Sequence, residues 1–199
     1  MAGRIIFLRS PTPIPTNTWD PLHKDPAVSL TPDHLTSSTT GGSVYQSVLG
    51  LSTFAHSSGK YYYEILITTD TGNSMTLGVG TSGVTLSKYA GQENISWGIY
   101  ALNGAYYHAG TTASGVSFGP GDVIGVAVDL TAGKIWFRKG STWMSNGSPG
   151  DPVAGTFPAM TGLTGTLMPL LSNYNICNNT ANFGASTYAN AAPTGYSNW

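Results

Sequence analysis

The fold is decided by Phe118-Gly119-Pro120-Gly121-Asp122-Val123-Ile124-Gly125-Val126-Ala127-Val128-Asp129-Leu130, running on through Thr131-Ala132-Gly133 into Lys134-Ile135-Trp136-Phe137-Arg138. Between Asp122 and Leu130 both parities are apolar, with Ile124, Val126, Val128 and Leu130 on one and Val123 and Ala127 on the other. A strand covered on both faces sits in the middle of a sheet. Gly133 supplies the positive φ that a tight turn often requires, so the two segments read as a hairpin.

Working outward, Lys60 to Thr68 alternates: Tyr61, Tyr63, Ile65 and Ile67 share one face, and Tyr62, Glu64, Leu66 and Thr68 the other. Met75 to Val79, Ser96 to Ala101, Thr166 to Leu171 and Thr180 to Phe183 read as further strands. Apolar runs alternate with turn signals throughout, and no stretch carries a sustained helical period. Glycine (26) and proline (12) are plentiful, 9% of residues are charged, and Glu64 and Glu93 are the only glutamates. Exposed helix faces are built from Glu, Lys and Arg, so this composition favours strands and turns. With 40% apolar residues the chain can fill a core. The expected class is all-β, a two-sheet antiparallel β-sandwich.

Residues 1–18 stand apart as an extended N-terminal arm, and residues 19–199 form the sandwich domain. The arm holds Ile5, Ile6, Phe7 and Leu8 between Arg4 and Arg9, then Pro11, Pro13 and Pro15. Proline fixes φ and biases its predecessor toward extended geometry, which excludes a helix. The arm is either an assembly element or a first strand with a proline-rich lead-out. Its apolar run is too short for a signal peptide or a membrane span, so synthesis and folding in a cytoplasm are expected, without membrane insertion.

The net charge of −1 argues against a general grip on nucleic acid. Lys134, Arg138 and Lys139 form the one basic group, read as a solvated strand end. Cys177 is the only cysteine, which excludes a disulfide within the chain, and it reads as a small buried thiol. The sequons at Asn94, Asn146 and Asn178 matter only in a secreted eukaryotic protein.

Catalysis is not expected. Glycoside hydrolysis needs two suitably spaced carboxylates, yet Glu64 has Tyr62 and Leu66 as its same-face neighbours and Glu93 lies in a Gly-rich loop. Asn173, Asn175, Asn178 and Asn179 lack the carboxylate a hard cation prefers, and read as a polar loop. His23, His34, His56 and His108 share no metal spacing, so neither metal nor cofactor is expected. Binding chemistry lies in aromatic loops: Tyr89, Tyr106 and Tyr107, and Trp143 beside Asn146. Tyrosine and tryptophan give large contact area at low entropy cost. For Tyr107 and Trp143, packing at the sandwich end is the favoured alternative.

The ordered set Gly59-Lys60-Tyr61-Tyr62-Tyr63-Glu64-Ile65, Leu77-Gly78-Val79-Gly80, Ser96-Trp97-Gly98-Ile99-Tyr100, the opening stretch quoted above, Gly140, Trp143, Pro169 and Ala181-Asn182-Phe183-Gly184 resembles a SPRY domain. The resemblance covers residues 19–199. It implies a concanavalin A-like jelly-roll sandwich and a protein-interaction module whose ligands sit on loops at one end. It also implies structural roles for Tyr62, Trp97, Asp122, Asp129 and Trp136. Trp19-Asp20-Pro21, the ending Pro193-Thr194-Gly195-Tyr196-Ser197-Asn198-Trp199 and the low-charge surface look like SPRY domains of tailed bacteriophages. That closer likeness implies a structural and binding protein on a virion surface: capsid decoration, head fibre or tail fibre. Its arm, through Ile5, Ile6, Phe7 and Leu8, would dock on other capsid or tail proteins. Its loops would meet a host surface glycan or protein, with homo-oligomerisation left open. The alternative is a cellular adaptor that recognises a short peptide.

Overall fold

The computed structural model describes residues 17–144 and 149–199. Among these residues the chain forms two sheets packed face to face, with one short 3-10 turn at Ser52–Phe54 and no α-helix. The smaller sheet runs in the order β1 (Trp19–Lys24), β4 (Gln46–Gly50), β14 (Met168–Asn173), β6 (Thr76–Gly80), β7 (Ser96–Tyr100), β8 (Ala105–Tyr107) and β9 (Thr111–Ser114). The larger runs β12 (Thr142–Met144), β11 (Lys134–Lys139), β10 (Val123–Asp129), β5 (Lys60–Asp70), β15 (Ile176–Asn182), β3 (Thr36–Thr40) and β2 (Ser29–Leu30). Two short strands lie off that path: β13 (Met160–Thr161) pairs β11, and β16 (Ser197–Asn198) runs parallel to β5. All other pairs are antiparallel.

The decisive stretch is a central strand and a hairpin, as its two apolar parities require. β10 pairs β5 on one side and β11 on the other, and Gly133 takes φ +64° in the turn. Alternation in β5 sends Tyr63, Ile65 and Ile67 into the space between the sheets, where they meet Leu77, Ile99 and Leu171. The other parity of β5, with Ala127 and Trp136, faces outward and is covered by Tyr188, Ala192 and Tyr196 of the C-terminal segment. Trp199 closes that segment: it is buried, its N–H donates to Tyr62 O, and its indole Nε1 donates to Phe54 O at 3.0 Å.

Arg138 departs from the expectation of a solvated strand end. It is 6% exposed and pairs with Glu64 at 3.4 Å. Its guanidinium donates to the Tyr62 hydroxyl and to the carbonyls of Asn190 and Ala191, and lies over the Tyr62 and Trp143 rings at 4.7 and 4.9 Å. Glu64 accepts the N–H groups of Ala189 and Asn190 at 2.7 and 3.0 Å. The sequence carried no sign that the C-terminal segment covers this strand end. Likewise Asn173 and Asn179 belong to strands, not a polar loop, and with Ser37 they form a buried hydrogen-bonded chain between the sheets. Cys177 is buried, as expected, and burial beside Asp70 pushes its thiol up to about 12.

The boundary between arm and domain falls among ordered contacts. Asn17 is buried and its Oδ1 accepts Leu51 N, while Thr18 O accepts the same N–H. Ile5, Ile6, Phe7 and Leu8 lie outside the described residues, as does Asn146.

Candidate functional site

Antiparallel pairing gathers one end of the sandwich from loops far apart in sequence. Gln46 at the start of β4 pairs with Asn173 at the end of β14, and Thr76 at the start of β6 pairs with both Ser172 and Tyr100. Tyr45, Tyr174 and Tyr100 therefore emerge at the same level. The register Val48, Leu171, Leu77, Ile99, Tyr106 runs across the core-facing side of the smaller sheet. The register Leu49, Leu170, Gly78, Gly98, Tyr107 runs across its outer side.

A long loop, residues 81–95, lies flat on that outer side. Ala90 N donates to Thr76 Oγ1 at 2.9 Å and to Ser172 Oγ at 3.1 Å, and Ser47 Oγ donates to Lys88 O at 2.8 Å. Gly98 permits the approach, since a Cβ there would lie 2.3 Å from Ala90 O. Val84 and Ala90 of the loop pack on Leu49, Met168 and Leu170 beneath it as a second small core. Glu93 braces it by accepting from Thr85 N and Lys88 Nζ. Burial alone would raise the Glu93 carboxyl, but the Thr85 and Lys88 donors hold it below its ordinary value.

The loop delivers Tyr89 to a run of half-buried rings. Tyr45 meets Tyr89 at 5.2 Å and Tyr174 at 5.1 Å, Tyr89 meets Tyr107 at 5.1 Å, and Tyr107 meets Tyr100 at 6.2 Å. Burial raises the hydroxyls of Tyr45, Tyr89 and Tyr100, so all three remain protonated donors at neutral pH. Exposed Val44, Leu102 and Ile176 flank the rings. Loops 41–45, 71–75, 101–104 and 174–175 contain no charged residue. Tyrosine supplies rigid contact area, and Ser, Gly and Asn supply adaptable polar contact, which is the composition of recognition loops.

Of the residues singled out in the sequence, Tyr89 and Tyr107 meet here. Tyr106 does not: strand alternation turns it inward, where it is fully buried and stacks on Phe137 at 5.8 Å. Trp143 lies on β12 of the larger sheet, where its ring covers Arg138. The sequence reading missed Tyr45, Tyr100 and Tyr174. Each borders a strand, but only the pairing of β4, β14, β6 and β7 puts them side by side. Both glutamates are spent on structural bonds, Glu64 on the C-terminal segment and Glu93 on the 81–95 loop. Among the described residues no group of His, Cys, Asp and Glu is placed to hold a metal ion.

Comparison with known proteins bears on context. Two curated relatives, SPRY domain-containing SOCS box protein 3 from Xenopus tropicalis and from Xenopus laevis, are each 36% identical over 90 residues, 41% of this chain. The chain spans 25% of the length of each. These frog relatives overturn the expectation of a bacteriophage particle component on a virion surface. A surface poor in charge and rich in Thr, Ser, Gly and Asn reflects strands and recognition loops, and is no mark of a virus. The SPRY domain of human HERC1 superposes with a TM-score of 0.67 over 85% of this chain and 99% of that one; at 21% identity the likeness speaks for the fold. The SPRY domain model matches residues 60–186, from the first residue of β5 to the loop after β15, and the chain therefore belongs to the SPRY domain family.

Proposed function

We propose that the chain is a protein-interaction module that recognises a short peptide segment of a partner protein through its tyrosine-lined end. The observation that carries this reading is the convergence of Tyr45, Tyr89, Tyr100, Tyr107 and Tyr174 from separate segments onto one surface of low charge. Interfaces draw most of their energy from a few aromatic anchors surrounded by near-neutral polar contacts. The rings are held in place by β-sheet register and by the braced 81–95 loop, so little ordering entropy is lost when a ligand arrives. The SPRY and SOCS box architecture named in the frog relatives supports an adaptor role for this domain.

The test is a random peptide library panned against the full chain and counter-selected on a Tyr89→Ala/Tyr174→Ala variant whose near-UV spectrum is native. An enriched consensus that binds the wild type and not the variant is the expected result. A library that yields no consensus, or one that binds both proteins equally, overturns the reading.

A further inference from the structure

We infer that the segment taken by the tyrosine end is proline-rich and bound in the left-handed polyproline conformation, supplied by another protein. The inference rests on the peptide-recognition reading and names the chemistry of that peptide.

Charge argues first. The four loops at this end carry no charged side chain, and Lys88 beside them is already matched by Glu93 at 3.0 Å. A charged segment would be desolvated here with nothing to compensate it, which costs free energy. The occupant is therefore neutral.

Ring geometry argues second. Tyr45 and its neighbours do not form one flat plate. The Tyr45–Tyr89, Tyr45–Tyr174 and Tyr89–Tyr107 pairs are tilted by 57°, 52° and 69°. Tilted neighbours make notches between rings. A flat ring face suits a sugar; a notch suits a pyrrolidine ring. A polyproline helix has three residues per turn and rises about 3.1 Å per residue, so residues on one face recur about every 9 Å. Neighbouring ring centroids along the run lie 5.1 to 6.2 Å apart. That repeat falls just short of two ring spacings laid end to end, so one turn of such a helix spans a pair of neighbouring notches.

Hydrogen bonding argues third. A proline-rich segment offers carbonyl acceptors and few N–H donors. Tyrosine hydroxyls are donors of matching reach, and the peptide needs no strand edge to satisfy it. The segment is also preformed, so docking costs little conformational entropy. Val44 and Ile176, 49% and 53% exposed, flank the rings and suit aliphatic residues between prolines.

The experiment is fluorescence anisotropy of the full chain with a labelled decamer of proline, against a decamer in which alanine replaces alternate prolines. Variants are Tyr45→Ala, Tyr89→Ala, Tyr45→Phe and, as a control outside the site, Leu22→Ala, each checked for a native near-UV spectrum. The proline decamer should bind saturably, the alanine-substituted one about tenfold more weakly, and either tyrosine truncation should cost about tenfold or more. Tyr45→Phe keeps the ring and removes the donor, and should cost about threefold; Leu22→Ala should change nothing. No saturable binding of the proline decamer, or binding that ignores both truncations, overturns the inference. If the panned library yields a tyrosine-dependent consensus without proline, this inference falls and peptide recognition stands. If it yields no consensus, both fall.

Discussion

Replacing Arg138 with methionine removes the cation that holds the C-terminal segment to the larger sheet while keeping most of the side-chain volume. Arg138 and Glu64 are 7% and 3% exposed at the side chain, so water cannot readily take over from either. Without Arg138, Glu64 keeps the Tyr62 hydroxyl and the Ala189 and Asn190 N–H groups, but its charge is buried with no counter-charge. Breaking a buried pair from one side costs about 3–5 kcal/mol. The Asn190 and Ala191 carbonyls lose a donor, and two cation–π contacts at 4.7 and 4.9 Å disappear. These losses place Arg138→Met near the middle of that range or above it, about 4 kcal/mol. Glu64→Gln alone strands the guanidinium and should cost about 3 kcal/mol. The double variant buries no charge, so its cost should fall at least about 2 kcal/mol short of the sum of the singles. Urea titration followed by tryptophan fluorescence measures all three. Amide exchange across residues 186–199 shows whether the segment detaches before the sandwich melts. A cost for Arg138→Met below about 1 kcal/mol, or strict additivity, would refute the account of this pair as a buried clamp.

Three further outcomes are expected. Gly98→Ala puts a methyl group against Ala90 O and should lower stability by about 1–3 kcal/mol, or roughly 2–12 °C in Tm, while loosening the 81–95 loop; calorimetry and exchange at residues 81–95 check it. His56, stacked on Tyr61 at 3.7 Å, has its imidazole held below its ordinary value by burial. The folded state thus disfavours the proton, so stability should decline as pH falls below about 6.5, and His56→Gln should flatten that decline in a pH series of urea titrations. Cys177, buried and with its thiol raised, should resist a thiol-specific disulfide reagent in the native protein and react promptly in denaturant; rapid labelling of the native chain would contradict its placement.

Much of the fold was legible because its signals are local. The two-sided apolarity of residues 123–128 demanded a central strand, and strict alternation in residues 60–67 put Tyr61, Tyr63, Ile65 and Ile67 on one face. Gly133 marked its hairpin. The candidate site was legible only in part. Tyr89 and Tyr107 stood out as aromatics near turns, but Tyr106 carries the same signal and points the opposite way. One residue of register reverses a side chain, and no loop signal fixes register. Trp143, for which packing was the favoured alternative, covers Arg138 with its ring.

The amino-acid sequence by itself determined the all-β class, the order of the main strands and the family, because alternation, turn glycines and ordered motifs act over a few residues. Tertiary structure alone decided which residues share a surface. Tyr45, Tyr89, Tyr100, Tyr107 and Tyr174 span 130 positions of the chain and meet only through the pairing of β4, β14, β6, β7 and β8. Likewise, Arg138 becomes a buried clamp only once residues 189–191 fold across it. Contacts between distant segments depend on sheet order and on what covers each face, and neither leaves a periodic trace in the chain.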